Sequence, residues 1–194
     1  KRSFALLLDQ LSDKDTVSIV TYAGSAGVAL EPTSASDKAK ILSALDELGA
    51  GGSTAGAEGI ELAYRLAEQG KVDGTNRVIL ATDGDFNVGI DDPKALEQFI
   101  TKKRQSGISL SVLGFGRGNL DDATMQALAQ NGNGNASYIS NFAEAKKVLV
   151  EEVGGTLHTI AQDVKVQVEF NPALVSEYRL IGYETRHLNR EDFN

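Results

Sequence analysis

Apolar residues recur at helical spacing from the first residues of the chain. Phe4, Leu7, Leu8 and Leu11 share one face of a helix over 1–11. The period then changes. In DTVSIVTYAG (15–24) the apolar positions Val17, Ile19, Val20 and Tyr22 predict a strand over 15–23. GVALEP (27–32) reads as a short neighbouring strand, reached through a Gly-rich hairpin. Ser36 is placed to cap a helix carrying Ile41, Leu42, Leu45 and Leu48. GAGGSTAG (49–56) is a loop, and the helix after it runs through Tyr64 and Ala67. Gly56, Gly59 and Ala63 give that helix a small-residue face suited to close approach to a sheet. Strand 77–82, helix 93–105, strand 108–115, helix 121–130, strand 136–140 and helix 142–160 complete the pattern.

Strands alternating with helices predict an α/β fold, a mostly parallel sheet flanked by helices on both faces. RVILAT and ISLSVLGFG are apolar enough to be central strands. After residue 161 the pattern becomes that of a β-rich segment. Val164, Val166, Val168 and Phe170 alternate strictly, and more strand-like residues follow to Asn194. The expected organisation is one domain over 1–161 and the start of a β-rich module over 162–194.

Composition narrows the chemistry. Of 194 residues 41% are hydrophobic, enough for one medium domain with a proper core. The formal net charge of −8 disfavours nucleic acid and suits a divalent cation or a basic partner surface. Cysteine is absent, which excludes disulfides and thiolate metal sites. No apolar run approaches the length of a membrane span, so no membrane insertion is expected of this segment.

The candidate chemistry lies where strand 77–82 runs into Asp83-Gly84-Asp85. In open α/β sheets ligands sit beyond the carboxyl ends of the strands. Ser53 and Thr54 occupy the matching Gly-rich turn of the preceding unit, just where a helix begins. Taken singly, a hydroxyl before a helix is an N-cap and an Asp-Gly pair is a turn. At corresponding loops of consecutive units they favour a site of hard oxygen ligands, suited to Mg²⁺ or Ca²⁺. Two other readings use the same residues. Asp-Gly-Asp after an apolar strand looks like the D-x-D of haloacid-dehalogenase-type phosphotransferases, although Asn87 stands where those carry Thr or Val. The spacing of Asp83, Asp85, Asn87, Gly89 and Asp91 imitates an EF-hand loop, but Val88 and Lys94 replace its Gly and bidentate Glu.

At GGSTAGAEGIELAY and RVILATDGDFNVG the chain closely resembles the von Willebrand factor type A (VWA) domain family. It looks most like the bacterial members that continue into a β-rich C-terminal region. By order of elements the resemblance covers 1–161. It implies a Rossmann-like sheet and a metal-ion-dependent adhesion site built by three loops. Thr54 matches the second loop's threonine and Asp83 the third loop's aspartate, with Ser53 and Asp85 as possible rim residues. The first loop's D-x-S-x-S, and the strand bearing it, have no match in this chain. In family order that strand lies between strand 15–23 and strand 77–82. Without it, two rows of backbone groups await a partner. One of three outcomes is expected: the two strands close up, the 163–170 segment fills the slot, or a second chain does; alternatively, the missing strand exists outside these 194 residues.

The resemblance therefore implies a non-enzymatic, adhesion-type module. It would bind an acidic residue of a partner protein through Mg²⁺, Mn²⁺ or Ca²⁺, with weak or absent affinity in this chain alone. A bacterial cell-envelope or periplasmic setting is implied in the same way. The alternatives are a phosphotransfer enzyme with Asp83 as nucleophile and a scaffold whose metal site is vestigial.

Overall fold

The predicted alternation is present in the structure, a computed structural model that describes residues 1–49, 55–83, 93–116, 122–152, 165–179, 181 and 189. In chain order the elements are α1 (Arg2–Leu8), β1 (Thr16–Thr21), β2 (Gly27–Ser34), α2 (Lys38–Glu47), α3 (Gly56–Gln69) and β3 (Asn76–Thr82). They continue with α4 (Pro93–Gln105), β4 (Ile108–Phe115), α5 (Asp122–Asn131), β5 (Ala136–Ile139) and α6 (Phe142–Lys146), which runs into a π-helical turn at Lys147–Glu152. The chain divides into two compact units, Lys1–His158 and Thr159–Asn194.

In the first unit β3, β4 and β5 form a parallel sheet in that order, while β1 and β2 form a separate antiparallel pair. The parallel sheet is two-faced because its strands alternate with period two. Val78 and Leu80 of β3, with Leu110 and Val112 of β4, turn toward Ile60 and Tyr64 of α3 and Ile100 of α4. Ile79, Leu113, Phe115 and Ile139 turn the other way, toward Phe4 and Leu7 of α1 and Leu149 of the π-helical turn. Burial on both faces explains why β4 reads as a continuous apolar run: Ile108, Leu110, Val112 and Leu113 are at most 1% exposed. Each contributes about 1.5–3 kcal/mol by leaving water. The β1–β2 hairpin packs Val17, Ile19 and Leu30 against Leu8 of α1 and Ile41 and Leu45 of α2.

Several expectations are corrected. RVILAT is not central among the described residues: β4 is the middle strand, and β3 is an edge of its sheet. The two strands flanking the expected gap do not close up, since β1 and β3 share no ladder. The cap of α2 is Asp37, whose carboxylate accepts the Lys40 N–H at 3.3 Å, while the Ser36 hydroxyl pairs with Ser34. A carboxylate at the N-cap also complements the helix dipole. The single helix expected over 142–160 is α6 followed by the π-helical turn to Glu152, and 153–164 lie outside the described residues.

The second unit, taken by itself, has no assigned strand among its described residues. The alternation that predicted one is present at 165–170, but the segment has no ladder partner there. Val166 and Val168 remain 77% and 65% exposed. Alternation marks a chain ready to pair, and pairing needs a second strand. Among its described residues, Phe170 and Tyr178 make a ring contact with centroids 4.5 Å apart. No helix among the described residues is long and apolar enough to cross a membrane.

Candidate functional site at the carboxyl rim of the strands

Asp83 follows the last ladder pair of β3, Thr82 with Gly114. The alternation that turns Val78, Leu80 and Thr82 into the core ends there, so Thr82 is buried and Asp83 is exposed. On one side β4 is followed by Gly116, whose φ of +133° is open to glycine and strained for other residues. A Cβ at Gly116 would stand 3.5 Å from the backbone oxygen of Asp83. The Gly116 N–H donates to the Ile139 carbonyl at 3.2 Å, and the Tyr138 hydroxyl donates to the Gly116 carbonyl. The ends of β3, β4 and β5 are thereby held side by side, with the ring of Tyr138 partly in solvent.

On the other side stands Tyr22, one residue past β1. Its hydroxyl donates to the Ala81 carbonyl, two residues before Asp83, and also hydrogen-bonds the Thr82 side chain. Its own carbonyl accepts the Ala55 N–H at 2.8 Å. Burial pushes the Tyr22 phenol above the ordinary tyrosine range. The Thr82 hydrogen bond pulls it back in part, and the negative charge of Asp83 pushes it up further. The phenol therefore stays protonated, a donor, at neutral pH. The ring reaches this position because α3 passes beneath it at a glycine. A Cβ on Gly59 would lie 2.6 Å from the Cβ of Tyr22.

Of the four candidate site residues Ser53, Thr54, Asp83 and Asp85, Asp83 alone is among those described. Thr54, Ser53 and Asp85 lie outside them. Ala55, the neighbour of Thr54, is anchored on Tyr22, and Tyr22 on the strand that carries Asp83. Asp83 has no ion-pair partner among the described residues, whose salt bridges are Lys38–Asp9 and Lys103–Glu68. Among the described residues no group of three or more His, Asp or Glu side chains gathers to hold a metal ion. The donors present at the rim, a carboxylate and hydroxyls, fit a hard cation in kind, with the Thr82 hydroxyl engaged by Tyr22. The sequence assigns no site role to Tyr22, Thr82, Gly116 or Tyr138. Tyr22 and Tyr138 counted there only as strand residues, and the available signal was a tyrosine at a strand's carboxyl end.

The sheet with helices on both faces and the exposed aspartate at its carboxyl rim lie within the residues that a family comparison matches. The von Willebrand factor type A domain model covers residues 1–151. The chain belongs to this family. A second model, the C-terminal region of Uncharacterized protein YfbK, covers residues 155–194. Among curated proteins this VWA chain is 53% identical over 193 residues to Uncharacterized protein YfbK of Escherichia coli (strain K12), covering 99% of the chain and 34% of that protein. It is 31% identical over 139 residues to Uncharacterized protein sll0103 of Synechocystis, covering 72% of the chain and 32% of that protein. The chain thus spans about a third of the length of these two relatives. Among solved structures it resembles a von Willebrand factor type A protein from Catenulispora acidiphila, with TM-score 0.68, 19% identity, and coverage of 80% of this chain and 37% of that one. It also resembles proximal thread matrix protein 1 of the mussel byssus, solved with a zinc-occupied MIDAS motif. There the TM-score is 0.62 at 24% identity, covering 80% of this chain and 39% of that one. At these identities the structural likeness is one of fold.

Proposed function

We propose that this VWA chain is a protein-interaction module that binds a carboxylate of a partner protein through a divalent cation, Mg²⁺ or Mn²⁺, and that it does so without catalysing a reaction. Asp83 supplies the charge, directly or through a water, and Thr54 a hydroxyl ligand. Ser53 and Asp85 shape the rim. The observation that carries this reading is the placement of Asp83: exposed at the carboxyl end of β3, without an ion pair among the described residues, on a strand tied through Tyr22 to the residue after Thr54. The zinc-occupied site of the mussel protein shows that a chain of this fold can hold a divalent ion, which supports the reading. A hard cation takes six or more oxygens, and two side chains leave the remainder to water or to other parts of a longer protein. For this chain alone an affinity of about 1 mM is therefore expected, the weak end of oxygen-ligated sites. The module and the segment from residue 162 are proposed to be separate working parts of a longer bacterial envelope protein.

The test is a Mn²⁺ titration of the chain followed by electron paramagnetic resonance. Asp83→Asn is expected to abolish binding, and Thr54→Ala to weaken it about tenfold, the cost of one lost charge-assisted contact. An Asp83→Asn chain that binds Mn²⁺ as the unmodified chain does overturns the site. Stoichiometric trapping of a fluoride–metal phosphate mimic on Asp83 would show a phosphotransferase instead.

A further inference from the structure

Tyr22 hydrogen-bonds the described stems of both loops assigned to the cation. Its carbonyl takes the Ala55 N–H at 2.8 Å, one residue beyond Thr54. Its hydroxyl is given to the Ala81 carbonyl, two residues before Asp83. These bonds leave from opposite ends of one side chain and its backbone, and they cross the place where β1 and β3 share no ladder. Elsewhere the ends of neighbouring strands are set by ladder pairs, as Thr82 is by Gly114. Between β1 and β3 no ladder pair among the described residues does this. The ring is itself fixed from below, because the α3 backbone reaches it at Gly59.

We infer that Tyr22 is a positioning residue of the proposed cation site, a clamp that fixes the spacing between Ala55, next to Thr54, and the end of β3 that leads to Asp83. The inference rests on the site proposed above. Its physical content is that a cation gains from two oxygens only when both are held in place before it arrives. A phenol reaching across unpaired strands is a hydrogen bond whose removal leaves that spacing loose. Tyr22→Phe keeps the ring in the Gly59 notch and deletes only the hydroxyl.

The experiment compares the unmodified chain, Tyr22→Phe and Leu45→Ala. The last is a destabilised control, since Leu45 is buried against the β1–β2 hairpin, away from the rim. Amide exchange is followed by NMR, and Mn²⁺ affinity by titration. In Tyr22→Phe the amides of Ala55 and Thr82 are expected to exchange about tenfold faster, while those of Leu110 and Val112 keep their rates. The Mn²⁺ dissociation constant should rise about three- to tenfold, the equivalent of one hydrogen bond. Leu45→Ala should lower the melting temperature without changing either readout. Unchanged exchange at Ala55 and Thr82 in Tyr22→Phe overturns the clamp. So does a rise in dissociation constant that Leu45→Ala reproduces. Should the unmodified chain bind no Mn²⁺, the cation reading falls, and the exchange rates still decide whether Tyr22 holds the two stems.

Discussion

At the scale of single residues, Tyr64 sets a polar group against its surroundings. It lies in the main core at 0% exposure, edge-on to Phe99 with centroids 5.8 Å apart. Its hydroxyl is buried without a hydrogen-bond partner among the described residues. A buried hydroxyl left unpaired costs about 1–3 kcal/mol, and its removal keeps the ring packing. Tyr64→Phe is therefore expected to stabilise the chain by about 1 kcal/mol in urea unfolding at pH 7. Burial also raises the Tyr64 pKa above its ordinary 10.0. A raised folded pKa gives stability that is complete below pH 10 and drains away as pH climbs toward the folded value. The advantage of Tyr64→Phe should accordingly widen above pH 10, and a constant difference from pH 7 to 11 would contradict it. The same scale shows what the sequence could and could not disclose. The exposed place of Asp83 at the carboxyl end of β3 was legible because a carboxylate ending an apolar strand conflicts with its local pattern. Tyr22 was not, because a tyrosine fits that pattern whether its ring packs in a core or its hydroxyl bridges to another strand.

At the scale of elements, the small face of α3 was read from Gly56, Gly59 and Ala63, and the structure shows what one of those glycines meets. Alanine at a mid-helix glycine ordinarily gains about 0.5–1 kcal/mol. At Gly59 the new methyl would stand 2.6 Å from the Tyr22 Cβ and 3.1 Å from its Cγ, so helix or strand must shift. Overpacking of that kind costs about 1–3 kcal/mol and wins. Gly59→Ala is expected to lower the melting temperature by about 2–6 °C, measurable by circular dichroism. A rise in melting temperature would mean that α3 stands farther from β1 than described. Most elements were legible for the same reason as α3: helix and strand periods differ, and α4 and β4 fall on the residues predicted for them. Legibility failed where an element depends on a partner. Residues 165–170 alternate as a strand does and have nothing described to pair with. The cap of α2 failed differently, because Ser36 and Asp37 are both good caps, and which one turns inward is decided by the Ser34–Ser36 hydroxyl pair.

At the scale of the whole molecule, the decisive feature is the interruption between the hairpin and the parallel sheet; the α/β pattern alone fixes neither strand order nor completeness, and the family resemblance is what placed a gap between these strands. Parity along the strands says which groups face the interruption. The N–H groups of Leu110 and Val112 in β4 reach the carbonyls of Gly132 and Asn135, on the β5 side. In a parallel ladder alternate residues bond to opposite neighbours, so Ser109, Ser111 and Leu113 bond to β3. Given the register, these pair with the groups of Val78, Leu80 and Thr82. That leaves the N–H groups of Ile79 and Ala81 pointing away from β4, in agreement with the Ala81 carbonyl reaching Tyr22. The Ile79 and Ala81 amides have no backbone partner among the described residues. They should exchange with solvent at least about tenfold faster than those of Leu80 and Thr82, a difference hydrogen-exchange NMR resolves residue by residue. Equal protection along β3 would mean that another strand lies against it. The pattern should also respond to length: in a longer form of the protein that supplies such a strand, the Ile79 and Ala81 amides become slow while those of Leu80 and Thr82 hold their rates. The site and the interruption are then one problem, because the strand end that carries Asp83 borders the unpaired edge, and whatever pairs with that edge also stiffens the rim.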